Sequence, residues 1–250
     1  MKLKRFAIII ILLIFLSPGC KKEPAATTQI CVLIDVTDKN FQDEKVVSET
    51  LPKLLKMMNL DKENGGFSGG EIKFSLINEL SDSKSKTVKL KTAESGLLGE
   101  NPLVRKDEVT AFYTQTEKAF SAVISSADWG TDASKIYQKV TRELIKMKNT
   151  QADKKYMVIY SDMLENSDLF TFYGANWKAQ IENMIQTPEA TIKLLAQKGP
   201  ALPELSEYEI FIVTQRTPEN DEKINASERF WTALFEYQGA TVHFNSVLEI

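Results

Sequence analysis

Cysteine and histidine are almost absent from this chain, which has two cysteines and one histidine in 250 residues. Zinc sites and Ser-His-Asp triads need thiolates or imidazoles, and His243 lies in a predicted strand, where a structural role is expected. The 31 Lys and Arg residues are interspersed with 34 Asp and Glu residues, so no nucleic-acid surface is indicated. The apolar run at residues 6–16 is shorter than the ~20 residues of a transmembrane helix.

That apolar run is typical of a signal peptide. It follows three basic residues (Lys2, Lys4 and Arg5) and ends at the sequence LSPGC, which resembles the lipobox of bacterial lipoproteins. We therefore predict a signal peptide at 1–19, lipidation of Cys20 and a polar tether at 20–29. An ordinary cleaved signal or an uncleaved anchor is the alternative. The remaining cysteine, Cys31, is predicted to pack inertly in a buried strand.

After the tether, short β-branched runs alternate with amphipathic segments. The pattern predicts one α/β domain over 30–250, with a doubly wound, mostly parallel sheet, one antiparallel edge strand and helices on both faces. The edge strand is placed at 87–92, where lysines alternate with apolar residues. The other strands are placed at 30–36, 71–77, 156–161, 208–214 and 240–245, and the helices at 41–58, from Val109, from Ala133, 177–186, 188–198 and 225–238. Pro52 is expected to kink the first helix or start a second one.

Three connections need separate interpretation. The Gly-rich loop at 65–70 precedes a strand, whereas a phosphate-binding loop follows a strand and opens a helix, so we predict a plain turn. Residues 93–106 are predicted to be an irregular loop. The aromatic loop at 163–176 is expected to pack over the sheet edge, with a partner-binding role as the alternative.

Oxygen-bearing side chains gather in loops that should meet at one rim of the sheet. The first strand ends in Asp35-Val36-Thr37-Asp38-Lys39, and a later strand ends in Ser161-Asp162. Between them, Gly130-Thr131-Asp132 opens a helix. Ligands of doubly wound sheets bind beyond the carboxyl ends of the strands. Carboxylates and hydroxyls without imidazole favour a hard cation such as Mg²⁺ or Mn²⁺.

These three segments, in this order, resemble a von Willebrand factor A (VWA) domain, whose corresponding loops form a metal-ion-dependent adhesion site. The resemblance covers most of the chain after the tether, including the antiparallel strand. It implies a metal site made by Asp35, Thr37, Thr131 and Asp162. The hydroxyls would ligate the ion directly, and an open coordination position would accept a carboxylate from a partner.

Lys39 departs from the family pattern, because it stands where the family has a second ligating serine. An ammonium group has only donors and cannot ligate a metal. Lys39 either points away from a weakened metal site or places its ammonium between the carboxylates in place of the ion. Asp38 and Asp132 are further rim candidates.

Three functions remain open at this stage. The resemblance implies a binding module that recognises another envelope or secreted protein, attached to the bilayer through the Cys20 lipid. The alternatives are a structural subunit of an envelope complex with a metal-free site, or a metal-dependent phosphotransferase, which the Thr at position 37 disfavours because a second aspartate is expected there. Lys21 follows the cysteine, which favours the outer membrane of a Gram-negative bacterium, with the domain in the periplasm or at the cell surface. No enzymatic activity is expected.

Overall fold

The computed structural model describes residues 26–63, 65–78, 80–93, 101–129 and 134–250. Within them, six strands form one sheet in the order β3-β2-β1-β4-β5-β6. All neighbouring strands are parallel except β3, which runs antiparallel to β2 at the edge. The strands are β1 (Thr27–Ile34), β2 (Gly69–Leu76), β3 (Lys86–Leu90), β4 (Lys154–Tyr160), β5 (Tyr208–Val213) and β6 (Thr241–Asn245). The predicted fold class is confirmed.

Helices cover both faces of this sheet, and each face has its own apolar core. One core packs β1 residues such as Val32 and Ile34 against the first two helices. The other packs Leu33 against the remaining four helices. The helices are α1 (Glu44–Met57), α2 (Pro102–Ser125), α3 (Ile136–Lys148), α4 (Trp177–Gln186), α5 (Pro188–Ala196) and α6 (Asp221–Tyr237). Burial on both faces explains why β1 is a continuous apolar run.

Several predicted boundaries differ from the structure; for example, α6 begins at Asp221 rather than at 225, and β2 begins at Gly69 within the predicted turn. Residues 102–106, predicted as loop, belong to α2, because the Asn101 side chain accepts a hydrogen bond from Leu103 N–H at 3.0 Å and Pro102 occupies the first turn. β1 begins at Thr27, inside the segment predicted as tether. α1 continues through Pro52 without a second helix. Among the described residues, no helix has the length and apolarity to cross a membrane.

Cys31 and His243 both lie in strands, as predicted, whereas Cys20 is outside the described residues. Cys31 is a free, buried thiol, and burial raises its pKa far above the ordinary value, so it stays protonated. His243 lies in β6, where its ring stacks on Phe211 and its Nε2 is 2.9 Å from Glu209 Oε1.

Candidate functional site

Asp35 follows β1 directly and joins three loops through its carboxylate. It is completely buried. Its Oδ1 accepts hydrogen bonds from the N–H (2.9 Å) and the hydroxyl (2.7 Å) of Thr37. Its Oδ2 accepts from the hydroxyls of Ser161 (2.7 Å) and Ser134 (3.1 Å). Four donors on one carboxylate hold its charge in the core and fix the loops around it.

The topology explains why these loops meet. β1 and β4 are parallel neighbours, so Asp35 and Ser161 leave the sheet at the same edge. The Asp35 N–H also donates to the Tyr160 carbonyl at 2.8 Å, which extends the ladder by one bond. Ser134 lies just before α3 and supplies the third loop. These residues thus lie at the carboxyl ends of the central strands.

Asp162 is the second carboxylate of the site. Burial raises the pKa of Asp162 to about 7. Its Oδ1 accepts the Leu164 N–H at 2.9 Å, and this bond and the Lys223 charge lower the pKa, whereas Asp35 and Asp38 raise it. Burial and the charge of Asp35 also raise the pKa of Asp38, although the Asn40 N–H opposes this at 2.9 Å. The site therefore concentrates negative charge where water is scarce, and a bound cation would relieve it.

Met163, the next residue, has a left-handed backbone conformation with φ of +58°. This conformation is costly for a residue with a side chain and persists only when its surroundings impose it. Here α6 imposes it, since the Ser227 hydroxyl and the Trp231 indole N–H both donate to the Met163 carbonyl at 2.8 Å. The Met163 N–H in turn donates to Ser161 Oγ at 2.8 Å. Asp162 is thus held in place between Met163, whose backbone is strained, and Ser161, which donates a hydrogen bond to Asp35.

Glu165 ties the loop after Asp162 to α3. It is fully buried, and one carboxylate oxygen accepts the Tyr137 N–H at 2.8 Å, so it caps α3, whose own N-cap residue Lys135 makes no side-chain cap. Burial raises the pKa of Glu165 to about 7, against the lowering effect of the Ser167 hydroxyl and the helix N–H groups. Next to it, the Asn166 N–H donates to the Ser134 carbonyl at 3.0 Å.

The aromatic loop mostly packs inward, which agrees with the expected role. Phe170 and Phe172 are buried and contact Phe230 with ring centroids 4.9 and 6.1 Å away. Tyr173 is the exception: it is 53% exposed, and the Lys223 ammonium lies 4.3 Å from its ring centroid. Burial is the main cause that raises the pKa of Tyr173 to about 12, and the charges of Asp162 and Asp35 add to it. Tyr173 therefore lies near these two carboxylates, at the rim of the site.

The described residues include only part of the predicted donor set. Asp35, Thr37 and Asp162 are brought together at one edge of the sheet, with Asp38 beside them. Thr131 and Asp132 lie outside the described residues, as does the side chain of Lys39. Sequence reasoning missed Ser134, Met163 and the capping role of Glu165, which depend on contacts between residues distant in sequence.

The donors that are present fit a hard cation. The described residues contain no group of three or more His, Cys, Asp or Glu side chains suited to a metal ion, so hydroxyl oxygens must complete any site. Thr37 donates its proton to Asp35 and keeps its oxygen lone pairs available. Asp162 adds a half-buried carboxylate, and burial is the main cause of its raised pKa. This combination suits Mg²⁺ or Mn²⁺ better than zinc.

The raised carboxyl pKa values predict how stability depends on pH. A carboxyl group with a higher pKa in the folded state binds more protons folded than unfolded, so stability falls as pH rises from ~4 to ~7 and is then constant. For Asp162 this loss is on the order of 2–4 kcal/mol. Denaturant unfolding at pH 5 and pH 8 without divalent cations measures it. Asp162→Asn should make the profile flatter; an unchanged profile in that variant would contradict the assignment.

Comparisons with known proteins give similarity at the level of fold. The sequence matches no family model and no curated protein. Among solved structures, the human COPII-coat protein Sec24c is 13% identical, covering 90% of this chain and 30% of its own, with a TM-score of 0.41. The D319A mutant of the PilB minor pilin from Streptococcus sanguinis is 9% identical, covering 89% and 58%, with a TM-score of 0.47. The vWF domain of the type V pili tip protein Mfa5 from Porphyromonas gingivalis is 11% identical, covering 89% and 91%, with a TM-score of 0.43.

This chain therefore spans about a third of Sec24c and just over half of the PilB chain. At these identities and TM-scores the similarity assigns no ligand, partner or activity. The class of protein that the topology defines is a doubly wound α/β domain with polar loops at the carboxyl ends of its central strands.

Proposed function

We propose that this chain is a lipid-anchored, VWA-like binding module that recognises another envelope or secreted protein through a site occupied by Mg²⁺ or Mn²⁺. Asp35, Thr37 and Asp162 would hold the ion, with Thr131 as the fourth donor that the sequence resemblance implies. A bound divalent ion would supply a positive centre for a carboxylate of the partner. The proposal is for binding and includes no catalytic step.

The observation that carries this proposal is the arrangement around Asp35. A fully buried carboxylate is hydrogen-bonded to hydroxyls from three loops, and a second carboxylate with a pKa of about 7 is close enough to feel its charge. If this position were purely structural, apolar residues would fill it without the free-energy cost of burying a charged group. The phosphotransferase alternative is disfavoured by Thr37, which stands where a second aspartate is expected.

The anchor part of the proposal rests on the sequence around Cys20 and agrees with the strand directions. β1 begins at Thr27 and ends beside Asp35, a length of about 26 Å for eight residues. The tether leads into the first residue of β1, whereas the candidate site lies at the last. The site is therefore on the far side of the domain from the tether. A partner in the aqueous compartment would meet the site first.

Thermal unfolding of the detergent-solubilised full chain tests the metal site. Saturating Mn²⁺ should raise the melting temperature by about 5–10 °C relative to EDTA, from a binding free energy of ~2.7 kcal/mol at a hundredfold excess over Kd. Asp162→Asn should lose most of this shift. It should also melt higher than the parent chain in EDTA, because it removes a carboxyl group whose charged form is disfavoured by burial.

A matched control distinguishes the site from general effects. Asp168→Asn changes an exposed aspartate in the same loop and should respond to Mn²⁺ like the parent chain. No Mn²⁺ shift in the parent chain, or equal shifts in all three proteins, would contradict a metal at this site and favour the structural-subunit alternative. A partner crosslinked in the envelope should be lost from Asp162→Asn and retained by Asp168→Asn.

A further inference from the structure

One end of the sheet carries an apolar surface that the candidate site does not use. Strands β1 and β2 begin at this end and β3 finishes there, as their register shows: Thr27 pairs with Gly69, and Gly70 with Leu90. The Gly69 N–H also donates to the Ala26 carbonyl at 3.1 Å. We call this the basal end; it is the end where the chain arrives from Cys20, and Asp35 lies at the other.

Three large apolar side chains are exposed at the part of the basal end where the loop before β2 meets the start of α2. Leu103 is 72% exposed, Val104 49% and Phe67 48%. We call these three residues the basal patch. Single exposed apolar residues are ordinary on a protein surface, but a group at one end of a domain indicates an interaction.

Arg105 holds the parts of this patch together. Its buried guanidinium donates to the carbonyls of Gly66 (2.6 Å) and Ser68 (2.5 Å), which flank Phe67, and to that of Lys91 (3.0 Å). Leu103 and Val104 directly precede it in the first turn of α2. The loop that carries Phe67 and the start of α2 are therefore fixed against each other, and the patch is pre-formed.

The basal patch does not contribute to the core of the domain. The apolar residues of α2 that face the sheet are further along the helix, from Val109 to Ile124. The first turn of α2 thus places Leu103 and Val104 toward solvent, where polar residues would normally be found. A local departure from this pattern without a packing reason is typical of a functional surface.

We propose that the basal patch rests on the bilayer to which the chain is attached, with Leu103, Val104 and Phe67 in the interfacial region. This inference depends on the proposed anchor at the N-terminal side of β1. Six residues, 21–26, separate Cys20 from Thr27, and fully extended they span only about 20 Å. The attachment keeps the patch at a high effective concentration near the membrane, so weak apolar contacts suffice.

The charges around the patch fit a bilayer surface without dominating the contact. Lys91 and Lys106 are exposed beside it and suit anionic headgroups. Asp107 and Glu108 follow on the same helix, and Glu108 pairs with Arg105 at 2.9 Å. The apolar side chains, rather than net charge, would therefore carry the contact. The result is a fixed orientation, with the Asp35 site facing away from the membrane.

Depth-dependent quenching tests this orientation. The full chain is isolated from bacterial membranes as Leu103→Cys or as Tyr173→Cys, labelled with an environment-sensitive fluorophore, and reconstituted in phosphatidylethanolamine–phosphatidylglycerol vesicles with or without doxyl lipids. Tyr173, 53% exposed at the opposite end, is the matched control. The probe at position 103 should be quenched at least about twofold, as for groups at ~5–10 Å depth, and the probe at 173 should not.

The same preparation reports separately on the lipid anchor. Cys31 is buried, so labelling of the parent chain measures whether Cys20 has a reachable thiol. A labelled parent chain contradicts lipidation. Quenching of the Leu103→Cys chain beyond that of the labelled parent chain would still support the patch, because the uncleaved apolar run would hold the chain on the vesicle. An unlabelled parent chain without quenching at 103 supports the anchor and overturns the patch.

A second variant addresses the contribution of the patch itself. Phe67→Ser combined with Val104→Ser should reduce quenching at position 103, whereas Val247→Ser, at an exposed apolar residue after the carboxyl end of β6, should leave it unchanged. Equal quenching at 103 and 173, or stronger quenching at 173, would overturn the proposal. Protection of position 103 in a dimer without lipid quenching would also overturn it and assign the patch to a second copy of the chain.

Discussion

Replacing Glu143 by alanine is expected to destabilise the domain by about 3–5 kcal/mol, because it removes one partner of a buried ion pair. The side chains of Glu143 and Lys139 are 1% and 0% exposed, and their charged atoms are 3.3 Å apart. Glu143 also accepts from Lys73 at 2.8 Å and from Lys146 at 3.0 Å. The Lys139 ammonium also lies 3.5 Å from the Ser81 carbonyl and 4.0 Å from an Asp82 carboxylate oxygen, both more distant than Glu143.

The charge states of this cluster explain the size of the effect. Burial raises the pKa of Glu143, but hydrogen bonds from Lys73 and Lys146 outweigh it and hold the pKa below its ordinary value. Burial lowers the pKa of Lys139 even with Glu143 present. In Glu143→Ala the folded state would hold fewer protons at Lys139 than the unfolded state does. Its lost stability should therefore partly return as pH rises toward the ordinary lysine pKa.

Denaturant unfolding measures both effects. The double variant Lys139→Met/Glu143→Leu removes the pair together and should recover most of the stability, since apolar replacement of a buried pair is often neutral. Glu117→Ala, an exposed glutamate in the middle of α2, should stay within about 0.5 kcal/mol of the parent chain. A loss below about 1 kcal/mol for Glu143→Ala would show that the cluster is solvated in solution.

This cluster also shows why part of the fold was not visible in the sequence. Buried strands were readily predicted, since runs such as ICVLIDV and YEIFIVT have few other interpretations. The charged residues of α3 have the spacing of an exposed helix face, yet Lys139 and Glu143 are buried. Their partners Lys73 and Asp82 come from β2 and the connection after it, and no local pattern indicates such a pairing.

The start of α2 was missed for a different reason. Asn101-Pro102 is a sound helix start, but the two apolar residues after it do not continue the periodicity that begins at Val109. A search for amphipathic spacing therefore places the helix too late. The mismatch is itself informative, because Leu103 and Val104 are the residues whose exposure led to the proposed membrane contact.

The candidate site was predictable where its residues end strands. Asp35 and Asp162 follow buried runs, so their position at one rim follows from the parallel sheet alone. Ser134 and Glu165 act through hydrogen bonds that span 99 and 28 residues of sequence, and they have no strand end to mark them. Met163 could not be predicted either, since its φ of +58° is imposed by Ser227 and Trp231 of a distant helix.

Arg105→Met is expected to cost about 3–4 kcal/mol of stability, although methionine retains the apolar stem. Arg105 is 4% exposed and donates to three backbone carbonyls, those of Gly66, Ser68 and Lys91. A carbonyl that loses its partner in a buried position costs roughly 1–3 kcal/mol, and three are affected. Arg105→Lys should restore less than half of the loss, because a single ammonium cannot reproduce the planar fork of donors.

Unfolding free energies of these variants, with Arg142→Met on the exposed side of α3 as control, test the magnitude. Amide hydrogen exchange tests the cause. The Gly69 N–H donates to the Ala26 carbonyl, and the Ala93 N–H donates to the Phe67 carbonyl. Exchange of these two amides therefore reports on the segments to which Arg105 is hydrogen-bonded. In Arg105→Met these two amides should exchange faster than the β1 and β4 amides at matched global stability. A uniform acceleration of exchange across the sheet would instead assign Arg105 a general packing role. It would show that Arg105 does not specifically hold the Phe67 loop against α2.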